Sequence, residues 1–172
     1  MSAAASLPIF EFERRLVGDL ELIPLCVRFH LDAAGVRISL DDWQRLPYAV
    51  RVQLTALPVD ASMPSAAAAP TPVPTSTNTD GTAAAAALSL QQVLSRAGLV
   101  ARHDAPEADW MPASDRLPPT VDAQCAWAGV PPLPVTAWAA LTPFQRYALA
   151  KISRRDKPNV DFLPALREFG VI

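Results

Sequence analysis

LDDWQRLPYAVRVQL at residues 40–54 and VTAWAALTPFQRYAL at residues 135–149 decide the fold. Each carries Trp, Leu, Arg and Leu at offsets 0, +3, +8 and +11: Trp43, Leu46, Arg51 and Leu54, then Trp138, Leu141, Arg146 and Leu149. An apolar residue stands three before each Trp, Leu40 and Val135. Those offsets follow the helical period, which returns a side chain to the same face every three to four residues. A proline falls inside each stretch, Pro47 and Pro143, where it removes a donor and obliges a new helix to begin. The expected fold is all-α, a compact bundle of five to seven short helices. The two stretches share few positions, and a degenerate duplication stays open.

Outward from the first stretch, a helix is expected over about 24–34. Pro24 opens it, Val27, Leu31 and Ala34 line its inner face, and Gly35 suits the left-handed residue that closes it. Arg28 and Asp32, four apart, mark its wet face and can pair there. Ser39 caps a short helix at 40–46, and a second follows at 47–57. Ile9 to Glu13 alternates apolar and acidic residues, which reads as an extended N-terminal arm with Phe10 and Phe12 on one side.

Outward from the second stretch, Thr136 is expected to cap a helix through Leu141, and Thr142-Pro143 to start a firm one to Ser153. Asn159 is expected to cap the last helix, with Phe162, Leu166 and Phe169 as its stripe and Pro164 as an alternative start. Between the stretches, residues 58–82 hold five prolines, alanine strings and only two charges, Asp60 and Asp80. Such a segment buries too little to offset its ordering entropy, so it reads as a disordered linker inside one domain spanning 1–172. Helix resumes over 83–97. Residues 101–134 read as proline-rich irregular chain, with at most one turn at Gln124–Ala128.

Hydrophobic residues make up 51% of the 172, a share that alanine inflates, and the formal net charge is −2. No basic footprint suits a phosphate backbone, so nucleic acid is not expected as a partner. Nothing resembles a secretory leader or a membrane span, and two cysteines make no disulfide framework; a cytoplasmic setting follows. Cys26 and His30 share a helical face, as two zinc ligands would, yet no ligand spacing flanks Cys125 or His103. The pair reads as core, and neither a metal nor a cofactor is expected. The tryptophans at 43 and 138 read as core for the same reason: each sits on an apolar stripe.

No nucleophile elbow, phosphate-cradling loop or triad is legible, so the residues lean towards a non-catalytic protein. The acidic stretch Glu11, Glu13, Asp19 and Glu21 reads as a solvated face. Lys151, Arg154, Arg155 and Lys157 cluster behind the Pro143 helix. Orphan carbonyls at a helix end attract cations, which accounts for about two of the four. A docking patch for an acidic protein partner accounts for the others.

Several ordered motifs carry a resemblance. They are Phe10-Glu-Phe-Glu13, Ile23-Pro24, Val27-Arg28-Phe29, Leu31-Asp32, Gly35-Val36, and Leu40 with Trp43. Near the other end they are Trp138, Leu141-Thr142-Pro143, Gln145 to Leu149, Lys151, and the ending Asn159, Phe162 to Leu166 and Glu168-Phe169-Gly170. In this order the chain resembles the nitrate reductase-associated proteins, a family of small cyanobacterial and bacterial proteins, over positions 10–57 and 131–172. The resemblance implies a non-catalytic accessory protein of nitrate assimilation that binds nitrate reductase, or a maturation or cofactor-delivery factor. It supplies no catalytic residues. Two other readings stand beside it: a ligand-binding protein or enzyme with a site of scattered residues such as His30, Arg28 and Arg146, and a general helical interaction module.

Overall fold

The computed structural model describes residues 7–59, 90, 92–98, 102–103 and 110–172. The described residues are mostly helical. A single 3-10 turn at Glu11–Glu13 runs into α1 (Arg14–Val17). Then come α2 (Leu25–Ala33), β1 (Val36–Arg37), α3 (Leu40–Arg45) and α4 (Tyr48–Thr55). Helical residues 92–96 form α5, and β2 (Arg102–His103) pairs antiparallel with β1, Val36 opposite His103. The chain continues as α6 (Pro119–Ala128), α7 (Val135–Ala140), α8 (Pro143–Ser153) and α9 (Phe162–Glu168).

The two Trp-led stretches prove to be the ends of two larger units with the same plan. Each opens on a loop and enters a helix through an extended proline, Pro24 before α2 and Pro118 before α6. That helix has nine residues in the first unit and ten in the second. A glycine with positive φ follows each, Gly35 at 62° and Gly129 at 68°. There the missing Cβ removes the left-handed penalty. A six-residue helix then carries the tryptophan, and an extended leucine, Leu46 or Leu141, turns the chain into the third helix. Both tryptophans are fully buried. Both indole N–H groups donate to a carbonyl of the opening loop: Trp43 Nε1 to Leu20 O at 2.7 Å, and Trp138 Nε1 to Ala113 O at 2.8 Å. Pro24, Val27 and Gly35 answer Pro118, Val121 and Gly129 at one separation, which grows by a single residue before the Trp-to-Leu set.

Each unit builds its own core. Val27, Phe29, Trp43 and Leu54 lie in the first, joined by Leu90 and by Leu94 of α5. Val121, Cys125, Trp138 and Leu149 lie in the second, joined by Phe162 and Leu166 of α9. Helix α8 belongs to both, giving Phe144, Tyr147 and Ala148 to the first and Leu149 to the second. An aromatic seam runs along this join. Phe10 stacks on Phe144 with ring centroids 4.5 Å apart, and Phe29 meets Phe144 and Tyr147 edge-on at 5.4 and 5.2 Å.

Several expectations change. The Phe-Glu-Phe-Glu stretch is helical from Glu11, not extended, because one carboxylate far along the chain satisfies two of its N–H groups. Glu168 accepts from Glu11 N at 2.8 Å and from Phe12 N at 3.0 Å. Phe10 and Phe12 do lie together, centroids 5.4 Å apart, packed on Phe169. Residues 119–128, expected as irregular chain, form α6: Pro119 occupies its first position, where a proline loses no hydrogen bond. Pro134, not Thr136, caps α7. Asp161, not Asn159, precedes α9, and Asn159 Oδ1 accepts from Asp161 N at 2.9 Å. Thr142 caps α8 as expected, in a reciprocal box with Gln145. The segment expected as a linker lies, from residue 60 on, outside the described residues, as do residues 83–89 and 91 of the helix expected over 83–97.

Candidate functional site

Two clefts flank α8, each walled by the loop that opens one unit. The first, of about 690 Å³, lies between Phe12–Leu25, Leu40 and the chain after α8. The second, of about 560 Å³, lies between Trp110–Thr120 and the outer face of α8. Lys151 lines both.

The first cleft is lined by exposed apolar side chains and by cations. Leu16, Leu22, Leu40 and Val160 line it, 52%, 38%, 41% and 87% exposed. They are half of the large hydrophobic side chains that the described residues leave exposed. All four line one cleft, and exposed apolar side chains gathered at one place mark an interaction surface. With them stand Arg28, Lys151, Arg155 and Lys157, and Glu13 and Asp161 as the acidic residues. The chain carrying Arg155 and Lys157 is anchored from below. Gln124 Nε2 donates to Lys157 O at 2.8 Å, Gln124 Oε1 accepts from Asn159 N at 3.0 Å, and Asn159 Nδ2 donates to Ile152 O at 2.8 Å.

Glu13 closes the inner end of that cleft. Its carboxylate accepts from Leu25 N, the first N–H of α2, at 3.1 Å, and from Phe10 N at 3.3 Å. Burial pushes its carboxyl up to about 7 even though both N–H donors favour the charged form. It was read as part of a solvated acidic face; instead it is buried and ties the opening turn to α2.

The predicted basic cluster is divided by the fold. Lys151 Nζ is bound to Asp32 Oδ2, which also accepts from Tyr147 Oη at 2.6 Å. Asp32 thus pairs with α8 rather than with Arg28, whose Nε donates to Ile23 O at 3.3 Å. Burial, with the Asp32 carboxylate beside it, holds the Tyr147 hydroxyl well above the usual phenol range. Arg154 faces the second cleft. Arg155 and Lys157 are exposed, line the first and make no ion pair among the described residues.

The second cleft has an aromatic wall of Trp110 and Tyr147, centroids 6.3 Å apart, beside Arg116 and Arg154. The scattered-site residues do not converge: the first cleft takes Arg28, and neither takes His30 or Arg146. Arg146 Nη1 donates to Leu141 O at 2.6 Å. His30 is buried and hydrogen-bonded to the Leu57 backbone; burial lowers its pKa. Cys26 is buried as well, with Sγ 3.8 Å from Thr55 O and its thiol pushed up to about 12 by burial. No group of three or more potential metal ligands gathers among the described residues. No helix among them is long and apolar enough to cross a membrane.

Comparison with protein families matches residues 9–169 to the conserved nitrate reductase-associated proteins. The chain belongs to that family. The match runs through both units and the segment between them, a wider span than the motifs near the two ends suggested. No curated protein matches the chain, and no solved structure does. What sequence reasoning missed was the apolar lining of the first cleft. Leu16, Leu22, Leu40 and Val160 come from four separate segments, and no local pattern links them. Leu40, three before Trp43 and expected on its apolar stripe, is instead 41% exposed.

Proposed function

We propose that the protein is a non-catalytic, cytoplasmic accessory protein of nitrate assimilation that binds nitrate reductase or one of its assembly partners. Membership of the family carries this reading. The first cleft supports it, because exposed apolar side chains beside solvent-facing cations suit a protein contact. The basic cluster enters through Arg155 and Lys157, which face solvent; Lys151 is already engaged by Asp32.

Affinity capture from nitrate-grown cells tests the reading. Wild-type protein is expected to recover nitrate reductase or a maturation factor of that enzyme. The double variant Arg155→Glu, Lys157→Glu is expected to recover less, and the loss should shrink as salt screens the wild-type contact. Recovery of no nitrate-assimilation protein by the wild type would end the accessory reading. The second cleft, with its Trp110–Tyr147 wall and two arginines, supports a ligand-binding alternative.

A further inference from the structure

From the first cleft we infer that the occupant is an amphipathic helical segment of another protein, apolar on one face and rich in Asp and Glu along its edges. This rests on the partner-binding reading and specifies the chemistry of the partner. Leu16, Leu22, Leu40 and Val160 belong to α1, the loop before α2, the start of α3 and the turn before α9, and all four line this one cleft. An open cleft lined by exposed apolar side chains accepts the apolar face of a helix. With Lys151 already paired to Asp32, the remaining lining charges are three cations, Arg28, Arg155 and Lys157, against two carboxylates, in a chain whose formal net charge is −2. One of those carboxylates, Glu13, is turned inward onto Leu25 N and Phe10 N. The charge complementarity therefore selects an acidic occupant and disfavours a basic one. Arg155 and Lys157 sit on a stretch whose backbone Gln124 and Asn159 hold in place, so binding has only their side chains left to order.

Two synthetic helical peptides test this with the full chain. They share a leucine face and differ in carrying Glu or Lys elsewhere; binding is read by fluorescence anisotropy at low and high salt. The Glu peptide is expected to bind at least about tenfold more tightly than the Lys peptide, and to weaken with salt. Arg155→Glu with Lys157→Glu should remove most of that preference. Leu22→Asp with Val160→Asp should weaken both peptides, and because these side chains are exposed, far-UV circular dichroism should stay unchanged. Arg116→Glu, in the other cleft, should change neither. Equal affinity for the two peptides, or no binding of the Glu peptide, overturns the inference. If the capture experiment recovers nitrate reductase equally with wild type and both cleft variants, the accessory reading stands and this inference falls. If the Glu peptide binds here but no nitrate-assimilation protein is captured, the reverse holds.

Discussion

The two units use the same frame and finish it with different chemistry. In the first, α2 begins at Leu25, whose buried N–H needs an acceptor and finds the Glu13 carboxylate. In the second, the matching position is Pro119, which has no N–H and needs none. The reciprocal cap sits on the middle helix of the first unit, Ser39 with Asp42, and on the third helix of the second, Thr142 with Gln145. At one matching position in the first helix, each unit buries a polar residue that ties down the chain leaving its third helix. Gln124 does so at both ends of its amide, on Lys157 and Asn159; His30 does so through Leu57, and its Nε2 has no partner among the described residues. The difference teaches that the frame is set by the prolines, glycines and tryptophans. The polar groups that complete it are interchangeable.

The strongest test removes the frame itself. Trp43→Ala and Trp138→Ala should each cost roughly 3–5 kcal/mol, the usual range for emptying a buried aromatic site. Since α8 serves both cores, urea titration followed by circular dichroism and by fluorescence should give one coincident transition for each variant. Two separated transitions in Trp138→Ala would break the coupling of the units.

Next comes the pH dependence, which should reside in the first unit. A carboxyl raised in the folded state binds its proton more tightly there than in the unfolded chain. Its contribution is therefore complete below about 4.5 and is lost as pH rises through about 7. The stability of wild type relative to Glu13→Gln should be about 3 kcal/mol greater at the acid end of that window than above it. His30 works in the opposite sense: its folded pKa is lowered, so its contribution is present above 6.5 and fades as pH falls. A flat difference between wild type and Glu13→Gln would show that the contrast with Pro119 has no energetic content.

A smaller effect separates the two buried polar anchors. Gln124→Leu should cost about 1–3 kcal/mol by stranding Lys157 O and Asn159 N, and should speed amide exchange around Asn159. His30→Leu should cost less, since it loses one bond and removes an unpaired nitrogen. The reverse ranking would make His30 the more important anchor. Smallest of all is the seam: Tyr147→Phe should cost roughly 0.5–1.5 kcal/mol, because Asp32 keeps Lys151.

The frame was legible because its signals are local. Trp-led spacing, Thr142-Pro143 and Gly35 each act within a turn or two. The prolines before α6 misled because Pro118-Pro119 looks like a breaker until one knows that Pro119 stands first in a helix. Two-residue strands are too short to alternate, so the β1–β2 pairing left no trace. The candidate cleft was half legible. Its cations are consecutive enough to be seen, but Asp32 abandons its neighbour Arg28 for Lys151, far along the chain, and only the fold makes that choice.

Sharing α8 also fixes the order in which the halves can be completed during synthesis. The first unit leaves the ribosome early, yet its core waits for Phe144, Tyr147 and Ala148. Its opening turn waits longer still, for the Glu168 carboxylate. The second unit assembles from helices that follow one another directly, and closes with far less loop entropy. The half translated last is thus expected to be the first able to finish, and until Phe144, Tyr147 and Phe169 arrive the nascent chain lacks the rings on which Phe10, Phe12 and Phe29 pack. Those rings are the surface that a chaperone would meet.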